Sequence, residues 1–254
     1  MATFLKYDKP LICAMIQCHT PEECIAKIKR SISAGAEALG IQLCKIRIEY
    51  RTEEQLRPIF EACEGLPVYI TSYRSGESKG LSDEDCAALL CLGVKCGATL
   101  ADVMGDLYAS ERSYYELTDE PDAIARQKEL IEKLHKMGAE VLISSHTKKS
   151  LTLEENLKLA RAQAERGADV IKIVNVAESA SEIPVYLEAI QKITAETDKK
   201  LLLLASGEAK LIRYIGASFG VCMYLCVESH GELDTKEQPT IAKIKAIRDN
   251  IIFS

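Results

Sequence analysis

No apolar run in the chain approaches the roughly 20 residues that a bilayer-spanning helix needs. The first residues, MATFLKYDKP, have none of the apolar stretch that a secretion signal uses. A membrane span is therefore excluded from the reading, and a cytoplasmic protein is expected. A basic stripe is missing as well. Acids and bases are interspersed along the helical segments, the net charge is −6 and the pI is about 5.4, so nothing offers itself to a phosphate backbone and nucleic acid is not an expected partner. The ten cysteines include no CxxC pair. Cys13, Cys222 and Cys226 sit in strand-like runs and Cys86, Cys91 and Cys96 in a helical segment, which suits small apolar residues in a reducing compartment better than disulfides or a metal site. Linkers and composition breaks are absent too, so one domain over residues 1–254 is expected.

What the chain does have is 254 residues, 47% hydrophobic and 28% charged, enough for either two small domains or one large α/β barrel. The repeat decides between them. Short apolar runs begin near residues 10, 38, 67, 98, 140, 169, 200 and 221, and each is followed by an amphipathic segment with helix signals. Thr20 with Pro21 and Glu23, Ser82 with Asp85, and Thr152 with Glu155 read as capped helix starts. Strands apolar on both faces belong to a parallel sheet covered by helices. Eight such units fit a single-domain (β/α)8 barrel, with an open doubly wound sheet as the alternative.

Barrel chemistry collects at the C-terminal ends of the strands. There the sequence supplies Gln17, Gln42, Arg74, Asp102, Asp106, Ser145, His146, Lys172, Ser206, Glu208 and Arg213. Lys172 stands in ADVIKIVNV, among Val170, Ile171, Ile173 and Val174. An isolated strand lysine more often packs its stem outward and snorkels to water, or is half of an ion pair. Turned into a barrel, a lysine is desolvated and set near other cations, which favours the neutral amine that attacks a ketone. His146, at the end of the neighbouring strand, could exchange protons with the carbon beside an iminium. His19, His135 and His230 read as loop or helix-end histidines. Arg74 and Arg213 offer forks suited to a carboxylate, so an anionic keto substrate is expected.

These residues together resemble type I 3-dehydroquinate dehydratases. SSHTKKS is similar to the family's S-N-H segment and puts the catalytic histidine at His146. VIKIV, 26 residues on, resembles its P-K-I-A-like strand and puts the imine lysine at Lys172. YRSGESKG resembles F-R-S-x-x-E-G-G and implies substrate recognition by Arg74. SGEAKLIRYIGASFG is similar to S-M-x-x-x-G-x-x-S-R-x-x-G-x-x-F-G and implies carboxylate binding by Arg213. EQPTIAKIKAI resembles G-Q-x-S-x-x-x-L and makes Gln238 a lid residue. Gln42 and Ser206 join the substrate contacts from their strand ends. The family's Glu-x-Arg on strand two is here Gln42, Leu43 and Cys44. Its Asp-x-Glu on strand four, whose glutamate partners the histidine, is here Asp102, Val103 and Met104. Asp102 is then the first choice for the imidazole's partner and Asp106 the second.

The resemblance implies a lyase of the shikimate pathway, in aromatic amino acid biosynthesis, that dehydrates 3-dehydroquinate to 3-dehydroshikimate. Because the protonated imine is itself the electron sink, neither metal nor organic cofactor is called for. The departures on strands two and four keep open an imine-forming aldolase or dehydratase for another anionic polyhydroxy keto compound. A non-catalytic barrel that binds a small anion is the reading from a different class. A homodimer through outer helices is a common barrel association, although no apolar patch in the sequence marks an interface.

Overall fold

The computed structural model describes residues 3–250. Strands and helices alternate throughout: β1 (Leu11–Ile16), α1 (Pro21–Ala34), β2 (Ala38–Gln42), α2 (Glu53–Glu61), β3 (Val68–Thr71), α3 (Asp83–Cys96), β4 (Leu100–Met104), α4 (Pro121–Lys136), β5 (Glu140–His146), α5 (Leu153–Glu165), β6 (Val170–Ala177), α6 (Ile183–Glu196), β7 (Lys200–Gly207), α7 (Ile212–Ile215), β8 (Met223–Cys226) and α8 (Ile241–Arg248). The capping boxes at Thr20, Ser82 and Thr152 all form, each hydroxyl accepting from the backbone N–H three residues on. Each strand starts within two residues of its apolar run. The later start of β4 has a local cause: the Thr99 hydroxyl takes the Val68 N–H at 2.9 Å, a bond that a backbone carbonyl would otherwise accept.

All neighbouring strands pair in parallel, in the order β7-β6-β5-β4-β3-β2-β1-β8. The ends of that series meet where Leu201 bridges Val221 and the Cys222 N–H reaches the Leu201 carbonyl at 2.8 Å. The sheet is therefore a nearly closed (β/α)8 barrel and not an open sheet. Alternation along β1 to β5 sends Ile12, Ile16, Leu39, Ile41, Ile70 and Val103 outward, into one cluster with Ile28, Leu56, Leu90 and Leu134 of the helices. The opposite parity fills the barrel with Met15, Tyr69, Leu100, Leu142, Leu202 and Leu225. Gly40 is required by this floor, since a Cβ there would lie 2.2 Å from Met15 Sδ and 3.2 Å from Tyr69 Cδ1. Without a side chain at 40, a tyrosine from β3 can cross the barrel axis toward β6.

Candidate active site

The same alternation that fills the barrel brings its topmost inward residues to the C-terminal mouth, where they line a cavity of about 860 Å³. Gln17, Gln42, Tyr69, Thr71, Tyr73, Arg74, His146, Lys172, Ser206, Arg213 and Gln238 all reach it. Asp106 and Ser145 are buried beside it, and Glu208 is exposed outside it.

Lys172 is 3% exposed, and its ammonium donates to Tyr69 Oη at 2.9 Å, Tyr73 Oη at 2.6 Å and Asp102 Oδ2 at 3.1 Å. Those three bonds use every N–H that an ammonium has. The cations expected near it are replaced by one carboxylate and two phenols. Asp102 Oδ2 also accepts from the hydroxyls of Tyr69 and Tyr73, the latter at 2.5 Å, while Oδ1 accepts from Ser144 Oγ at 2.5 Å. Burial pushes the Asp102 carboxyl up, but the charges of Lys172 and His146 and the hydrogen bonds from Ser144 and Tyr69 outweigh it and hold the group below the usual carboxylate range. Burial first, and the Asp102 charge second, push both phenols well above their ordinary value.

The partner of His146 is neither Asp102 nor Asp106. Glu116 Oε2 lies 3.0 Å from His146 Nδ1 and accepts the His146 backbone N–H at 2.9 Å. Asp102 is committed to Lys172 and Asp106 to Arg74, so the sequence assignment of the imidazole's carboxylate is corrected to a residue in the long connection between β4 and α4. Glu116 sits at φ 48, an uncommon conformation for a residue with a side chain. Its carbonyl accepts from Ser145 Oγ at 3.1 Å, and Arg166 pins the connection by donating to the carbonyls of Gly105 and Thr118. Held on Nδ1, the imidazole keeps Nε2 without a protein partner among the described residues, and its ring meets the edge of Tyr73 at 5.0 Å between centroids.

The two arginines differ in what they have left to give. Arg74 Nε and Nη2 donate to Asp83 at 2.6 and 2.9 Å, and Nη1 donates to Asp106 at 2.8 Å. Further bonds run to Met104 Sδ and the Asp106 carbonyl, so the guanidinium is saturated although it faces the cavity. The carboxylate fork expected of it is occupied from within the protein. Arg213 is 7% exposed, donates Nε to the Ala205 carbonyl at 2.7 Å, and forms no ion pair among the described residues. Burial pulls it down to about 10, against a smaller opposing effect of Glu237.

Neutral groups surround these charges. Gln17 Nε2 donates to Gln238 Oε1 at 3.2 Å, and Ser206 Oγ to the Asn175 carbonyl at 3.2 Å. Gln42 lines the wall from the end of β2. The Gln238 loop is tied to α1 by Asp234, which pairs with Lys27 at 2.5 Å. Thr71 Oγ1 is buried at the cavity without a hydrogen-bond partner. Sequence reading missed Tyr69, Thr71 and Tyr73, yet the signal was there, because the three share one parity along β3 and just past its C-terminal end, which faces the mouth. Glu116 had no such signal, since it lies in a connection with no repeat. Among the described residues no group of His, Cys, Asp and Glu could hold a metal ion, and no helix is long and apolar enough to cross a membrane.

The sequence model of a family described as Type I 3-dehydroquinase matches residues 12–251. Comparison with curated proteins found no match. Among solved structures, 3-dehydroquinate dehydratase from Geobacillus kaustophilus superposes with a TM-score of 0.81 at 16% identity, over 95% of this chain and 91% of its own. A type I 3-dehydroquinate dehydratase from Clostridium difficile, solved with covalently modified comenic acid, gives 0.79 at 20% identity over 96% and 92%. The Enterococcus faecalis 3-dehydroquinate dehydratase gives 0.77 at 18% identity, covering 99% of each chain.

Proposed function

This chain belongs to the type I 3-dehydroquinase family of carbon–oxygen lyases, and from that membership and the cavity's geometry we infer that it dehydrates 3-dehydroquinate to 3-dehydroshikimate through an imine at Lys172. The observation that carries the residue assignment is a buried lysine head at the centre of a cavity that also holds a buried guanidinium without an anion and an imidazole with one free nitrogen. Arg213 receives the substrate carboxylate as a fork, which supplies the missing counter-charge. The ketone condenses with Lys172 and releases water. His146 Nε2 then removes a proton from the carbon beside the iminium, and the electron pair moves to nitrogen as an enamine. When the pair returns, the hydroxyl beyond that carbon leaves, protonated by the imidazolium, and hydrolysis frees the lysine. Gln17, Gln42, Thr71, Ser206 and Gln238 are placed to meet ring hydroxyls, and Glu116 keeps the imidazole aimed.

The chemistry suits a cytoplasmic enzyme working on a small anionic keto compound without metal or organic cofactor. A homodimer would associate through its outer helices, and sedimentation velocity measures whether it does. The function is tested by adding borohydride with 3-dehydroquinate: the enzyme should be inactivated and the reduced ligand's mass should appear on the peptide containing Lys172. Conversion of 3-dehydroquinate, beside a panel of other polyhydroxy keto acids, fixes the substrate. An adduct on another lysine, or turnover only of a different keto acid, overturns the respective half of the reading.

A further inference from the structure

The resting geometry of Lys172 poses a problem of proton transfer at Nζ. An amine attacks a ketone with its lone pair, but here every position on Nζ is taken by a proton donated to Tyr69, Tyr73 or Asp102. One proton must leave before attack, and another must reach the carbinolamine hydroxyl before it can depart as water. His146 is held by Glu116 on Nδ1 and makes no hydrogen bond to Nζ among the described residues. The groups in contact with Nζ are the two phenols and the carboxylate, and both phenols accept from Nζ while donating to the same oxygen, Asp102 Oδ2. Two parallel routes thus connect the amine to the carboxylate through a hydroxyl.

The phenols are not equivalent. Tyr69 is fully buried in the barrel floor, whereas Tyr73, beyond the end of β3, is only partly buried and lies edge-on to the His146 ring. A ketone that approaches Nζ from the mouth therefore meets Tyr73. We propose that Tyr73 is a further catalytic residue, which together with Asp102 carries the protons of imine formation and imine hydrolysis at Lys172, with Tyr69 as its buried support. The inference rests on the assignment of Lys172 as the imine former.

The Lys172 ammonium gives a proton to Asp102, directly or through a tyrosine hydroxyl, leaving a neutral amine and a neutral carboxylic acid. The amine's lone pair forms the C–N bond while the carbonyl π pair goes to oxygen. That oxygen takes the proton surrendered by nitrogen and becomes the carbinolamine hydroxyl. Asp102 then returns its proton through Tyr73 to the hydroxyl, the C–O bond breaks, water leaves, and the nitrogen pair closes the iminium. Asp102 ends as a carboxylate beside a cation, as it began. A tyrosine serves as a conduit here because burial and the adjacent carboxylate keep its phenol protonated, so it passes a proton and does not retain the charge. Tyr73→Phe preserves the ring contact with His146 and removes the hydroxyl that links Lys172 to Asp102.

The test separates imine formation from turnover. Wild type, Tyr73→Phe, Tyr69→Phe with Tyr73→Phe, and His146→Ala are mixed rapidly with 3-dehydroquinate and quenched with borohydride, and the adduct on the Lys172 peptide is counted against time. Tyr73→Phe should form the adduct about 10-fold more slowly, and the double variant about 100-fold, the lower end of what a positioned acid–base group contributes. In both, the rate should rise toward mildly acidic pH, where solution acid replaces the phenol as proton donor. A merely displaced lysine would not show that dependence. His146→Ala should lose turnover while the adduct on the Lys172 peptide still forms. If wild type gives no adduct on Lys172, the imine reading itself fails and this inference with it. If wild type is trapped and both tyrosine variants are trapped equally fast, or slowed without the acid dependence, the proton-carrying role of Tyr73 is overturned and the imine reading stands.

Discussion

Arg74 and Arg213 look alike in the sequence, each an arginine just past a strand end, yet they stand in opposite electrostatic settings. Arg74 is part of a closed lattice at the β3 and β4 ends, where Asp83 and Asp106 take its charge and Arg112 joins from the next connection, donating to Asp83 at 2.9 Å. Arg213, across the mouth after β7, is buried with only a carbonyl for company. A guanidinium whose donors are all engaged holds structure, while one buried without an anion is unstable until a ligand supplies one. The lattice side also carries the connection that presents Glu116 to His146, so in the proposed reaction Arg74 serves by fixing a loop and Arg213 by receiving the substrate carboxylate.

The sharpest way to break this contrast is to remove both guanidinium groups in turn. Arg213→Met should lose about 3 kcal/mol of transition-state stabilisation, the upper part of the range for hydrogen bonds to a charged group, read as kcat/KM with KM raised. Its melting temperature should not fall, because an uncompensated buried charge has been replaced by an apolar side chain. Arg74→Met should do the reverse in stability. Taking Arg74 from buried Asp106 and from half-buried Asp83, which keeps Arg112, should cost about 2–3 kcal/mol in denaturant unfolding, below the range for a fully buried pair because the guanidinium is partly exposed. A stable Arg74→Met with a selectively raised KM would return that residue to the substrate.

Acid titration sharpens the same point. Burial raises the Asp83 carboxyl, but Arg74, Arg112 and the Tyr108 N–H together bring it down to about 2. A carboxyl lowered in the folded state binds fewer protons there than in the unfolded chain. Its contribution of about 2 kcal/mol is therefore whole above the ordinary carboxylate range and is lost as pH falls from about 4 toward 2. Unfolding free energies measured across that window should slope in wild type and slope less steeply in Arg74→Met, where Asp83 keeps only Arg112 and the Tyr108 N–H. On the lattice side again, Glu116→Gln keeps the hydrogen-bonding shape and removes the charge, and kcat should drop by about 1.5–2 kcal/mol in barrier with KM little changed. An unchanged kcat would mean that the imidazole aims itself. The smallest effect is expected at Gln42→Ala, where one neutral hydrogen bond to a hydroxyl is worth about 1 kcal/mol and should appear in KM for 3-dehydroquinate.

The linear chain already specifies the eight βα units, since hydrophobic period, capping residues and repeat length are local properties. It also determined which strand residues stand at the mouth, because parity and distance from the strand end are countable: Lys172 and His146 face the cavity as their places in β6 and β5 require. Which charge meets which depends instead on contacts between distant segments. Asp102 lies 70 residues from Lys172, and Glu116 lies 30 from His146 in a connection without period. Nothing local distinguishes Asp102, Asp106 and Glu116 as partners of an imidazole. The choice falls out of the sheet register, which sets Ser144 beside Lys172 and Leu142 beside Asp102, and out of the bonds from Arg74 and Arg166 that fold the β4–α4 connection back over the mouth. A hydrogen bond responds to tenths of an ångström, and those are fixed only once every strand has its neighbours.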